Sequence, residues 1–222
     1  AGGAEPATIA VIDGTLFVGL EDVQLETLSQ TKGAAKLSRA DMAVCLATGG
    51  TGATTVAATM IAASLAGISV FATGGIGGVH RGWNNSLDIS ADLAALARSR
   101  VITVCAGAKS ILDLPATLEA LDSLGVPVIG IHTQHFPCFL SPPDATLSLT
   151  SSVDNAADIA AIARTHWALG HHSGVLAVQA CPAAHAIARD EFEMWYDATE
   201  VAARTQGVKG PEVTPFLLSH LA

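Results

Sequence analysis

Residues 71–82 read FATGGIGGVHRG, residues 88–93 read DISADL, and residues 101–110 read VITVCAGAKS. The first stretch is an apolar run that breaks into four glycines between Gly74 and Gly78. The third is a β-branched run that breaks at Ala106-Gly107-Ala108 and then reaches Lys109. Short apolar runs closed by glycine read as buried parallel strands, with the turn into the next helix behind them. In open α/β sheets, ligands lie beyond the carboxyl ends of the strands. Both turns therefore fall where a ligand would sit.

Outward from there, the same alternation continues. Residues 8–12 and 15–18 are β-like runs joined by Asp13-Gly14, a strong hairpin signal. Residues 21–29 read as a short helix, and 43–47 as a strand ending in Thr48-Gly49-Gly50-Thr51-Gly52. Residues 53–65 read as a helix of small residues closed by Gly67, and 68–72 as the strand that enters the glycine cluster. A helix begins near Ser90, and 101–105 is the next strand. Residues 110–114 read as one helical turn, followed by a helix that opens on Pro115 and stops before Gly125. Residues 126–131 form a strand, and 136–150, with Pro137, Pro142 and Pro143, a loop with one edge strand. Helices over 154–169 and 189–205 flank a last core strand at 175–178, and Thr214-Pro215 starts a final helix. Strands alternating with helices predict an α/β fold: a mixed, largely parallel sheet with helices on both faces, in one domain over residues 1–222.

The bulk numbers narrow the function classes. Of 222 residues, 50% are hydrophobic and 14% charged, enough for one sizeable core. The net charge of −9 argues against a nucleic-acid-binding surface, which needs clustered Lys and Arg. Cys45, Cys105, Cys138 and Cys181 form no CxxC pair, so reduced thiols in a cytosolic protein are expected rather than a disulfide framework or zinc site. Each apolar stretch is interrupted before it reaches bilayer length, and no signal peptide is visible. A cytoplasmic protein with no membrane partner is expected.

Several residues could carry chemistry. Glycines at strand-to-helix turns either make tight turns or let backbone N–H groups approach an anion. Lys109 is either an ordinary strand-end lysine or an amine whose pKa is lowered in a dry pocket. Asp88 and Asp92 are four apart. On one helix they would share a face, whereas an Asp88 lying before the helix could turn into a site and hold a hard divalent cation among waters. Capping and dipole compensation are their other use. Lys36 and Arg39 frame Ser38 and could hold phosphate or form a solvated turn. His171-His172 is a poor metal site, because adjacent residues rarely point at one ion.

The motifs PATIAVIDG (6–14), GATTVAATM (52–60), VFATGGIGGVHRG (70–82), DISADL (88–93) and VCAGAKSILDL (104–114) closely resemble the pseudouridine-5′-phosphate glycosidase family, also called indigoidine-synthase-A-like. The resemblance runs from about Gly3 to TPFLL (214–218). It implies a three-layer α/β/α fold, a homotrimer and a divalent cation, typically Mn²⁺. It implies reversible cleavage of the C–C glycosidic bond of pseudouridine 5′-phosphate to uracil and ribose 5-phosphate. By motif, the nucleophilic lysine is Lys109, the metal-binding aspartate is Asp88, and substrate contacts fall on Ser90, Ala91, Asp92, Lys36 and the backbone of Val56. A C–C glycosidic bond offers no leaving heteroatom to protonate, so a Schiff base at C1 of an opened ribose would serve as the electron sink.

The resemblance also marks departures. The family's general-acid glutamate lies in a segment before PATIA, and Glu5 does not match it. An asparagine-containing phosphate segment lies beyond TPFLL. The loop LSPPDA (140–145) holds no arginine where the family usually has one, and WNNSL (83–87) is atypical. A non-catalytic phosphosugar- or uridylate-binding subunit is therefore the second reading, with an upstream glutamate segment as the feature that separates the two.

Overall fold

The computed structural model describes residues 3–208 and 213–220. The chain opens as the hairpin that Asp13-Gly14 predicts: β1 (Ile9–Ile12) pairs antiparallel with β2 (Thr15–Val18). Asp13 and Gly14 both take positive φ, 47° and 72°, as the tight hairpin turn requires. Helix α1 (Asp22–Gln30) follows, then β3 (Ala35–Leu37) and α2 (Asp41–Ala47).

Residues 43–47 are therefore helical, which corrects the strand predicted there. A run of five apolar residues has no period of its own to separate helix from strand. The deciding signal lies upstream: Ser38 N–H donates to Asp41 Oδ2 at 2.9 Å, and Asp41 and Met42 N–H donate to Ser38 O. This closes a helical turn that buries Met42 and Cys45 on one side. The expected strand is supplied instead by β3 and by β4 (Gly52–Thr54), so α3 spans Val56–Leu65 rather than starting at residue 53. Thr55 is its N-cap, with its side chain accepting from Ala58 N–H.

The remaining elements are β5 (Val70–Ala72), α4 (Trp83–Ser86), α5 (Ala91–Leu96), β6 (Ile102–Cys105), α6 (Leu114–Ser123), β7 (Val128–Ile131), β8 (Ser152–Val153), α7 (Ala156–Ala168), β9 (Val175–Val178), α8 (Arg189–Thr205) and α9 (Val213–His220). Residues 110–113 make a non-helical turn, not the predicted helical one, because the 112 position pairs with His80 across a bridge. Residues 136–150 hold isolated bridges, and the edge strand falls at β8 instead.

The mixed and parallel characters predicted for the sheet fall in two separate sheets. One has the order β2-β1-β4-β3, antiparallel except for β3 with β4. The other has the order β5-β6-β9-β7-β8 and is parallel throughout. Alternation along the parallel strands covers both of its faces. Ile102, Val175, Ala177 and Ile129 pack on Ile159 and Ala163 of α7. Cys105, Leu176 and Val178 face the opposite layer, with Met60 of α3, Leu93 and Leu96 of α5, Leu121 of α6 and Phe192 of α8. Helix α3 also lies against the first sheet, through Ala58, Ala62 and Ala63 near Ile9. Its alanines permit that double contact.

Burial pushes the Cys105 thiol up to about 12, so it is a core group rather than a reactive one. Among the described residues, no helix is long and apolar enough to cross a membrane.

Candidate active site

Between the carboxyl ends of β5 and β6 and the parallel pair β3–β4 lies a cavity of about 570 Å³. Its lining includes Lys36, Val56, Asp88, Ser90, Ala91, Asp92 and Lys109, so every residue carried over by motif reaches one space. Gly77, from the glycine cluster placed at a ligand position by the sequence, also lines it, as do His80, Thr54 and Thr214, which no sequence reading names singly. His80 was within reach of sequence reasoning, being the imidazole two residues beyond the glycine cluster.

Three segments are zipped together to make the floor. Lys109 N–H donates to Ile76 O at 3.1 Å, and Ile76 N–H donates to Gly107 O at 3.0 Å. Ser90 N–H donates to Gly78 O, and His80 N–H to Asp88 O. Gly77 has to be glycine for a steric reason: a Cβ there would sit 2.3 Å from Ser90 Oγ and 2.9 Å from Asp92 Oδ2.

Asp88 lies before α5, which resolves the two readings of its position: it does not share the helix face with Asp92. Ser90 is the N-cap, its side chain accepting from Asp92 N–H. Asp92 is buried, and its carboxylate is committed to the backbone. Oδ1 accepts from Ala57 N–H and Oδ2 from Gly77 N–H, both at 2.8 Å. It thus joins the first turn of α3 to the glycine loop.

Lys109 is partly buried, and burial pushes its pKa down from the ordinary lysine value. The Asp92 carboxylate works against that shift and the Lys36 charge reinforces it. Among the described residues no carboxylate forms an ion pair with the Lys109 amine. His80 Nδ1 stands 3.9 Å from Asp88 Oδ2, with side-chain exposures of 18% and 41%. The imidazole pKa is lowered, first by burial; Asp88 opposes that, and the charges of Lys109 and Lys36 add to it. This makes His80 a group able to take up and release a proton beside the amine.

Among the described residues no cluster of three or more His, Cys, Asp or Glu could enclose a metal. One half-exposed carboxylate opening on the cavity does fit a hard divalent cation that keeps most of its waters.

Fold and cavity together are those of an α/β enzyme that handles a small molecule in a cavity lined by a lysine. The family model described as "Indigoidine synthase A like protein" matches residues 1–222. The chain belongs to the indigoidine synthase A-like family. A pseudouridine-5′-phosphate glycosidase of Roseobacter denitrificans is 52% identical over 221 residues, covering 100% of this chain and 71% of that protein. One from Staphylococcus aureus is 47% identical over 219 residues, covering 99% and 71%. Among solved structures, prealnumycin C-glycosynthase AlnA in complex with ribulose 5-phosphate superposes with a TM-score of 0.91 at 38% identity, covering 99% of this chain and 72% of that one. An indigoidine synthase A-like protein of Thermotoga maritima gives 0.89 at 33%, covering 97% and 70%.

Proposed function

We propose that this chain cleaves, reversibly, the C–C glycosidic bond of pseudouridine 5′-phosphate to uracil and ribose 5-phosphate. The observation that carries the reading is the convergence of Lys109, Asp88, Ser90, Ala91, Asp92, Lys36 and Val56 on one cavity. The names of the relatives give the substrate, and AlnA, as a C-glycosynthase holding a pentulose 5-phosphate, supports C–C chemistry on such sugars in this fold.

In the proposed mechanism Lys109 is the nucleophile. Its neutral amine, favoured by burial, bonds to C1 as the bond from C1 to the ring oxygen breaks; the oxygen keeps the electron pair and takes up the proton that the nitrogen loses, so the ribose opens. The bond from C1 to the uracil carbon then breaks. Its electron pair stays with the base, which takes a proton at that carbon, while the lysine nitrogen lone pair forms the C=N bond. Water hydrolyses the iminium, releasing ribose 5-phosphate and the free amine. His80 lies where it can hold and move a proton during ring opening.

Lys36 and the first turn of α3 at Val56 form the cationic end suited to the 5′-phosphate. Ser90, Ala91 and the lone pairs left on Asp92 contact the sugar. Asp88 would hold Mn²⁺ or a similar cation, which supplies bound waters and positive charge to orient the sugar phosphate. We place the protein in the cytoplasm as a homotrimer, an assembly that sedimentation would check.

The test is uracil release from pseudouridine 5′-phosphate with Mn²⁺, beside Lys109→Ala. Release by the native chain and none by the variant is expected; equal release by both would overturn the role of Lys109.

A further inference from the structure

Arg81 follows His80 in the chain, but its guanidinium serves a different place. Nη1 and Nη2 donate to Glu193 Oε2 and Oε1 of α8 at 2.7 and 2.9 Å. Nη2 also donates to Ser110 O at 3.0 Å, and Nε to Leu112 O at 3.5 Å. The Tyr196 ring lies against the same group, 4.1 Å from its centroid to Cζ. Ser110 and Leu112 lie one and three residues after Lys109, and Leu112 N–H donates to Lys109 O at 3.0 Å. One planar fork therefore grips the backbone of the lysine turn without itself lining the cavity, and α8 holds the fork. The glycine loop holds the turn as well, through Lys109 N–H donating to Ile76 O.

We propose that Arg81, locked by Glu193 and Tyr196, is a positioning residue for Lys109: it fixes the 110–112 backbone and so the line along which the amine enters the cavity. This rests on the reading of Lys109 as the amine nucleophile. The fork uses its donors in several directions at once, which a lysine ammonium in its place does not reproduce. Covalent attack is sensitive to sub-ångström placement, so a loosened turn costs rate even when the fold survives. Arg81 is absent from the groups that set the ionisation of Lys109, namely burial, Asp92 and Lys36. Its removal therefore acts on the rate and leaves the pH midpoint in place.

The experiment follows covalent capture of ribose 5-phosphate by the full chain in the presence of cyanoborohydride, read by mass spectrometry. The Lys109 nitrogen bonds to C1 of the open-chain aldehyde, water leaves, and hydride from the reductant converts the C=N bond to a stable secondary amine. Rates are taken against sugar concentration and pH, at a temperature where circular dichroism shows each variant folded.

Arg81→Lys is expected to lower the saturated rate by about tenfold or more, with half-saturation within about threefold and the pH midpoint unchanged. Glu193→Ala should behave like Arg81→Lys. Glu193→Gln, which still accepts a hydrogen bond from the fork, should stay within about threefold of the native rate. A folded Arg81→Lys that captures sugar at the native saturated rate overturns the proposal, as does a shift of the pH midpoint in place of the rate. If Arg81→Lys does not fold, the Glu193 pair decides: native rates in Glu193→Ala overturn it. A native chain that gives no adduct, or an adduct that survives Lys109→Ala, overturns the nucleophile reading together with the proposal, whereas the Arg81 and Glu193 outcomes bear on positioning alone.

Discussion

Asp92 is where sequence and site part most clearly. Four residues after Asp88, it reads as a charge in the first turn of a helix or as a substrate ligand. In the fold it ties Ala57 N–H to Gly77 N–H, elements that lie 35 and 15 positions away in the chain. No local pattern encodes such a bond, whereas the Ser90 cap beside it follows from residue type alone. Asp92→Ala leaves two buried N–H groups without partners, at a cost of about 2–4 kcal/mol. Asp92→Asn restores one acceptor but turns an NH₂ toward the other N–H, so urea unfolding should give it an intermediate or equal loss. Lys109 carries a second prediction. Because its pKa is lowered, its capture of ribose 5-phosphate should rise with pH through a midpoint below that of an ordinary lysine. Lys36 contributes to the lowering by like charge. Lys36→Met removes that repulsion, favours the protonated amine, and moves the midpoint up; a downward move in the pH–rate profile would contradict the assignment.

At the scale of elements, legibility depended on whether a segment carried a boundary signal. The 175–178 strand and the 189–205 helix were read with the boundaries they have, one an unbroken β-branched and aliphatic run and the other a long amphipathic stretch closed by glycine. Residues 43–47 were misread because their helix is set by the Ser38–Asp41 turn outside the apolar run. Of the strand at 52–54, residues 53 and 54 fall inside the predicted helix, because a three-residue strand is too short to show alternation. The glycine loop was legible as a site wall, though not the reason for each glycine. Gly77→Ala would drive a methyl into Ser90 and Asp92, unseating the cap of α5 and the link to α3 together. We expect a loss above about 1 kcal/mol in urea unfolding and a larger fractional loss of uracil release, because the damage lies in the floor of the cavity.

For the whole molecule, the α/β class followed from alternation, but the division into two sheets did not, because pairing between distant strands is not written in any one of them. The long helix α8 shows how the parts are held together. It is tied to the body by two ion pairs, Arg189 with Asp144 and Arg81 with Glu193. Hydrogen bonds from the Arg189 side chain first, then from the Thr146 hydroxyl and N–H, hold the Asp144 carboxyl down at about 2 from its ordinary 3.8. The Arg81 side chain likewise lowers that of Glu193, against the opposing effect of burial. A carboxyl with a depressed folded pKa takes up protons more readily when the chain is unfolded. Its stabilisation is therefore complete above the unfolded value and fades as pH falls through the folded one. For Asp144 that window runs from about pH 4 down to about pH 2. The Asp144 pair is partly open to solvent, which screens it and keeps its share of stability small at neutral pH. Its signature is consequently the slope and not the magnitude. Urea midpoints of the native chain should drop across that window more steeply than those of Asp144→Asn, which starts slightly less stable at pH 7 and loses less on acidification. Parallel slopes for the two proteins would mean that this end of α8 is held by packing through Phe192 and Tyr196, with the surface charge a bystander.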